Sequence, residues 1–248
     1  MGAPAVGIPQ DLVARLREAG TVAVLTGSGI SAESGVPTFR DAQTGLWARY
    51  DPMQLATPEA FGRDPGLVWE WYAWRRELGE RAMANPGHEA LADLERYVTS
   101  FSLVTQNVDG LHRRAGSRNV VELHGNIWRS KCSREGVFVE PREDDTEVPP
   151  SCPRCGAPLR PDVVWFGEAL PADALGGAFE AAHSCDLFLS VGTSGLVQPA
   201  ASLPFEALQA EAVVVEVNPE ETPLTRHVRY TLRGSAGTVL PALVGSIL

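Results

Sequence analysis

Four groups of residues in this chain have types and spacings that could do chemistry. The first is a glycine-rich turn, Thr26-Gly27-Ser28-Gly29-Ile30-Ser31-Ala32-Glu33-Ser34-Gly35, which continues through Val36-Pro37-Thr38-Phe39-Arg40. It directly follows the apolar run Val22–Leu25. Glycines at 27 and 29 let the backbone turn sharply and approach a phosphate with no β-carbon in the way. The spacing is not that of the ordinary dinucleotide fingerprint, because the third glycine is Gly35 and position 32 is Ala32. Ser31, Glu33, Phe39 and Arg40 add polar and aromatic groups that a plain phosphate cradle does not need.

The second is His124, which follows the apolar run Val120–Leu123 and precedes Gly125. A neutral imidazole can accept a proton from a hydroxyl near neutral pH, although a lone histidine in such a place is more often structural. The third is the pair Tyr72 and Arg75, three apart in a helical stretch and so on one face. A phenol and a guanidinium side by side can hold a carboxylate, the guanidinium through two parallel hydrogen bonds. Taken alone, such a pair is usually a packing or solvated face.

The fourth is a set of cysteines. Cys152-Pro153-Arg154-Cys155 is a complete metal knuckle, whereas the earlier half reads Cys132-Ser133-Arg134-Glu135. A full zinc ribbon has cysteine in both halves, so Glu135 stands in place of one. Three readings stay open: zinc held by the three cysteines and Glu135, zinc held by the three cysteines and water, or a module without metal. Cys185 precedes an apolar run and reads as a core residue.

The elements that must position these groups follow from periodicity. A helix is expected from Ile8 to Ala19, then a strand at Val22–Leu25. Pro65 to Met83 reads as an aromatic-rich helix and His88 to Tyr97 as another. Phe101–Thr105 and Val120–Leu123 are short apolar strands with a helix-like segment between them. Asp173–His183 is helical, Asp186–Val191 a strand, Ala200–Ala210 a helix and Ala212–Val217 a strand, with a last helix from about Thr238. This alternation predicts an α/β fold with a doubly wound parallel sheet of Rossmann type. It breaks at 44–85 and at 128–161, the second stretch being rich in cysteine, proline and charge. The Rossmann-type domain is therefore expected to comprise 1–43, 86–127 and 162–248. The helical insertion 44–85 and the zinc-ribbon-like insertion 128–161 would form a small domain.

The formal net charge is -10 over 248 residues, which excludes the basic stripe of a nucleic-acid surface. An acidic surface is compatible with basic, lysine-bearing substrates, and equally with plain solubility. Lys131 is the only lysine. No apolar run is long enough to cross a bilayer, and Met1-Gly2-Ala3-Pro4 has no signal-peptide character. Val6 stands where a myristoylation motif needs serine or threonine. A cytoplasmic monomer without disulfides, membrane or nucleic-acid partners is expected.

The glycine turn resembles the signature of the sirtuins, the NAD-dependent protein-lysine deacylases. Thr105-Gln106-Asn107-Val108-Asp109-Gly110-Leu111-His112 resembles the family's second motif, and Leu123-His124-Gly125 the third. Gly192-Thr193-Ser194 and Asn218-Pro219-Glu220 add later matches in family order. The resemblance implies that NAD lies against Gly27, Ser28, Gly29, Ser31, Glu33, Phe39, Arg40, Gln106, Asn107, Val108 and Asp109. Further along the chain it implies Gly192, Thr193, Ser194, Asn218, Pro219, Glu220 and, at the adenine, Ala236. It implies His124 as general base, with Asn107 and Asp109 holding the nicotinamide ribose, the amide and a water. The family moves the acyl group of a modified lysine to ADP-ribose and releases nicotinamide. Val164, Trp165, Phe166, Gly167 and Glu168, read as strand-like, would pair with a substrate backbone, and Leu196 and Val197 would pair from the other side.

Ala56-Thr57-Pro58 and Val68–Arg76 resemble the sirtuin subgroup that removes succinyl and malonyl groups, in which tyrosine and arginine read the acid end. Thr38 fits the same subgroup. The implied partners are acylated-lysine proteins or peptides, and the implied metal is a structural zinc at Cys132, Cys152, Cys155 and, in one reading, Glu135. The alternatives are a mainly deacetylating enzyme, a mono-ADP-ribosyltransferase and a non-catalytic NAD sensor.

Overall fold

A computed structural model describes residues 7–36, 50–141 and 146–248. Thr38, Phe39 and Arg40 lie outside the described residues. The main sheet contains β1 (Thr21–Thr26), β2 (Ser100–Thr105), β3 (Val120–Glu122), β6 (Leu187–Val191), β7 (Val213–Val217) and β8 (Tyr230–Leu232). Every pair in it is parallel, in the order β3-β2-β1-β6-β7-β8. The chain builds outward from β1 to β3 on one side, then returns beside β1 and builds outward again. A doubly wound sheet opens a crevice at that reversal, outside the carboxyl ends of the central strands. Here the crevice lies beyond Thr26 of β1 and Val191 of β6.

Both faces of the sheet are buried, which explains why its strands read as nearly continuous apolar runs. Val22 and Val24 of β1 point into one core with α1 (Gln10–Glu18), α5 (Pro86–Tyr97) and α9 (Ala236–Gly245). Ala23 and Leu25 point into the other with α7 (Ala172–Ser184) and α8 (Leu203–Gln209). The period-two alternation of a strand thus sorts neighbouring residues between two cores.

The remaining elements are α2 (Pro52–Leu55), α3 (Pro58–Arg63), α4 (Pro65–Arg81), α6 (Leu111–Arg114) and an antiparallel pair, β4 (Gly125–Cys132) and β5 (Leu159–Val163). Asp51, Thr57 and Asp64 cap α2, α3 and α4, each followed by proline at the first helical position. These helices share a core with the β4–β5 pair: Phe61, Val68, Trp71 and Tyr72 meet Ile127, Val163 and Trp165. A second small core joins Trp69 to Cys132, Cys152 and Leu159. No helix among the described residues is long and apolar enough to cross a membrane.

Two differences from the sequence reading concern this region. Neither β4 nor β5 is evident from periodicity, because charged residues interrupt both and Pro161 interrupts β5. The strand-like stretch Val164–Glu168 is not a strand: it leaves β5 extended and closes in a turn at Gly167, whose φ is +89°. Glu168 holds that turn, its carboxylate accepting from the Trp165 amide at 2.8 Å and from Arg160 at 2.6 and 2.8 Å.

Candidate active site

The ends of β1, β2, β3, β6 and β7 meet at the crevice, and glycine makes the meeting possible. A β-carbon on Gly27 would come within 2.8 Å of the Gly192 carbonyl, and one on Gly29 within 2.7 Å of Gly192 Cα. Gly192 has φ +58°, and its own β-carbon would stand 2.6 Å from the Ile30 nitrogen. These glycines interlock the loops after β1 and β6. The amides of Gly27 and Gly29 donate to the carbonyls of Val191 and Gly192 at 3.0 and 2.8 Å. Of the three loop amides expected to face a phosphate, Ser28 alone has no partner among the described residues. Gly27 and Gly29 thus fit one loop against another.

The loop after β2 is tied into the same assembly. Asn107 donates from Nδ2 to the Gly27 carbonyl and to Ser31 Oγ, both at 3.1 Å. Ser31 is buried and donates to Asp109 Oδ2 at 2.7 Å, while the Leu111 amide donates to Asp109 Oδ1. Burial pushes the Asp109 carboxyl above its usual range, opposed by the Leu111 and Ser31 hydrogen bonds. Gln106 reaches Thr193 Oγ1 at 3.1 Å, and Asn218, at the end of β7, donates to the Thr193 carbonyl at 2.8 Å.

His124 follows β3 directly. Its Nδ1 lies 2.9 Å from the Gln106 carbonyl, and only a protonated Nδ1 can pair with a carbonyl. The neutral ring therefore carries its lone pair on Nε2. Burial holds its pKa below the ordinary value near 6.5, with the Gln106 hydrogen bond opposing. The outcome is an imidazole kept neutral and oriented, the state required of a proton acceptor at neutral pH.

Behind this layer lie two buried histidines to which the sequence reading gave no role. His88 is fully buried and its Nδ1 accepts from the Asn85 amide, so Nε2 carries the proton that faces Ser31 Oγ at 3.4 Å. His112 Nε2 lies 2.9 Å from Thr26 Oγ1, whose own hydrogen goes to Thr105 Oγ1. Nε2 of His112 must then donate, which leaves its buried Nδ1 without a partner among the described residues. Desolvation depresses both pKa values, to about 4 for His88 and about 3 for His112, the latter also through His88. The available signal for His88 was the run Asn85-Pro86-Gly87-His88, which starts α5 with a capping box.

Other expected site residues fall as follows. Glu33 accepts from Ser235 Oγ at 2.9 Å and from the Gly237 amide at 2.7 Å, so its carboxylate caps α9. Ala236 is buried at the start of α9, against Gly87 of α5. Val108 gives its carbonyl to Ile127. Ser194 is half-buried, while Pro219 and Glu220 are exposed beyond Asn218.

Tyr72 is buried on α4, its hydroxyl accepting from Trp165 Nε1 at 3.0 Å. Burial pushes the phenol up to about 12, so its proton stays available for donation. Arg75 lies over the Trp71 ring at 5.1 Å. Burial lowers its pKa, while Tyr72 and Asp109 oppose that effect. Of the substrate-facing stretch, the Val164 and Phe166 amides donate to the His124 and Ala56 carbonyls. The amides of Trp165 and Glu168 are also engaged, by the Glu168 carboxylate and the Trp165 carbonyl. Phe166, Leu196 and Val197 are exposed apolar residues.

The thiols of Cys132, Cys152 and Cys155 lie within 4.8 Å of one another, and Cys132 and Cys155 are 3.4 Å apart. That spacing fits three corners of a tetrahedral zinc site. Glu135 is not among these ligands; its carboxylate pairs with Arg154 at 3.2 Å. What it brings to the site is its amide, which donates to Cys132 Sγ at 3.3 Å.

The strand order and the polar crevice make this a Rossmann-type α/β protein. Residues 27–199 match the model of the Sir2 family, and the chain belongs to that family. It is 50% identical over 245 residues to an NAD-dependent protein deacylase of Methylococcus capsulatus, covering 96% of each chain. A solved Sir2 homolog–NAD complex superimposes with a TM-score of 0.90 at 46% identity, covering 99% of this chain and 96% of the other. A Sir2–p53 peptide–NAD+ complex gives 0.83 at 29% identity, covering 95% and 97%.

Proposed function

We propose that this protein is an NAD-dependent protein-lysine deacylase that moves the acyl group to ADP-ribose, releases nicotinamide, and prefers succinyl and malonyl groups. The name of the relative and the NAD complex of the solved neighbour support the first part. In the crevice His124 is the general base, its Nε2 taking a proton from a ribose hydroxyl while the Gln106 carbonyl holds the ring. Asn107, Ser31 and Asp109 order the neighbouring ribose and amide through their linked hydrogen bonds. NAD supplies the electrophilic carbon and the acceptor hydroxyls. Zinc held by Cys132, Cys152 and Cys155 would tie the insertion together, away from the chemistry.

The acyl preference rests on one observation: buried Tyr72 and half-buried Arg75 share one face of α4, and Trp165 leaves the phenolic proton free to donate. A phenol and a guanidinium side by side can hold a carboxylate, a group that an acetyl chain lacks. The test is nicotinamide release from one peptide carrying succinyl-, malonyl- or acetyl-lysine, or unmodified lysine. The proposal expects release only with acylated peptide, fastest with the acidic acyl groups. Equal release without acyl-lysine would point instead to ADP-ribosyl transfer. The acylated proteins met in the cell, and the cytoplasm as the place where they are met, belong to the same proposal.

A further inference from the structure

β4 and β5 pair with a break in register. Asn126 stands opposite Asp162 and Ser130 opposite Pro161, so Ile127, Trp128 and Arg129 have no counterpart on β5. A bulge turns its residues off the ladder and re-aims them, often beside a site. This one reaches three other elements. The Ile127 amide donates to the Val108 carbonyl at 2.9 Å, and its carbonyl accepts from Arg76 Nε of α4 at 2.8 Å. Arg129 pairs with Glu122 at 2.7 Å and Asp162 at 2.9 Å.

Trp128 makes the longest connection. Its Nε1–H donates to the Asp109 carbonyl at 2.8 Å, and its ring lies between two glycines. A β-carbon on Gly79 of α4 would stand 3.0 Å from Cζ2, and one on Gly110, where φ is +74°, 3.2 Å from Cδ1. Glycine within a helix costs about 1 kcal/mol relative to alanine; the ring explains why α4 carries one at 79. Gly79 is four residues beyond Arg75, hence on the same helical face. The indole therefore spans from the acyl-reading face of α4 to the loop bearing Asn107 and Asp109.

We propose that Trp128 is a positioning residue that sets the distance between α4 and the 106–110 loop, and thereby the length of acidic acyl chain the site accepts. This rests on the reading of Tyr72 and Arg75 as carboxylate readers. A succinyl-lysine is fixed at two points, its amide at the loop and its carboxylate at α4, so it senses that distance. An acetyl group is fixed only at the loop and does not.

The experiment measures kcat and KM for succinyl- and acetyl-lysine versions of one peptide with wild type, Trp128→Phe, Trp128→Ala, Gly79→Ala and Arg75→Met. Trp128→Ala should raise KM for the succinyl peptide about tenfold more than for the acetyl peptide, since small displacements are costly only where geometry is fixed. Trp128→Phe, which keeps a ring but loses the donor, should fall between. Gly79→Ala should shift the ratio the same way by pushing on the ring. Should Trp128→Ala fail to fold, the other two carry the test. Equal losses on both peptides, with Arg75→Met still separating them, would overturn the role of Trp128. If Arg75→Met also treats the peptides alike, the carboxylate reading itself fails.

Discussion

His124 illustrates how little a side chain does by itself. The residue type allows proton transfer, but the Gln106 carbonyl selects the tautomer and burial keeps the ring neutral. The pH dependence follows in sign. A group whose pKa is lowered stays unprotonated until the pH falls through that lowered value. The acid limb of kcat/KM should thus have its midpoint below 6.5, with activity flat through neutrality. His124→Ala should lower kcat by about a hundredfold or more and abolish that limb. A pH–rate profile of both proteins checks this, and an acid limb centred above 6.5 would contradict the assigned environment. His88 and His112 show the limit of single-residue reading, since His88 looked like an ordinary helix residue and His112, though it closes the second motif, was given no role. Their roles come from partners across the fold: Ser31 lies 57 positions from His88, and Thr26 lies 86 from His112.

At the scale of elements, the main strands and helices were legible because burial on both faces leaves strong, regular patterns. The β4–β5 pair was not. Its register is set by a bulge and by charged pairs, Lys131 and Arg129 with Asp162, which leave no periodic trace. Glu33 shows the same limit: its partners on α9 are 202 and 204 residues away, so nothing local reveals a cap. The cysteine module lies between, legible as a metal knuckle but not in its fourth ligand. Protein purified without chelator should carry about one zinc per chain. Cys152→Ser should remove most of it and lower the melting temperature, because Cys132, Cys152 and Leu159 form the small core under Trp69. Metal analysis with thermal unfolding checks this. Glu135→Ala should retain the zinc, as the Glu135 carboxylate faces Arg154 and only its amide meets Cys132.

At the scale of the whole molecule, the division of labour is spatial. The sheet reversal gathers the segments after five strands into one polar crevice, and glycines at 27, 29 and 192 let the loops after β1 and β6 interlock. The helices before and the β-pair after that crevice share a core in which Tyr72, Trp165 and Ile127 touch. The surface proposed to read the acyl group is thus built partly from the segment that carries the cysteines. Resemblance of the motifs to the family pointed to the NAD crevice, and resemblance of 56–58 and 68–76 to one subgroup pointed to the acyl group. The bonds holding those two in place became apparent only in three dimensions. The most direct test compares kcat/KM on one peptide carrying succinyl- or acetyl-lysine, for wild type and Arg75→Met. The account predicts that wild type favours the succinyl peptide and that the substitution reduces its turnover about a hundredfold while changing deacetylation much less. Equal losses on both peptides, or a wild type indifferent to the carboxylate, would contradict it.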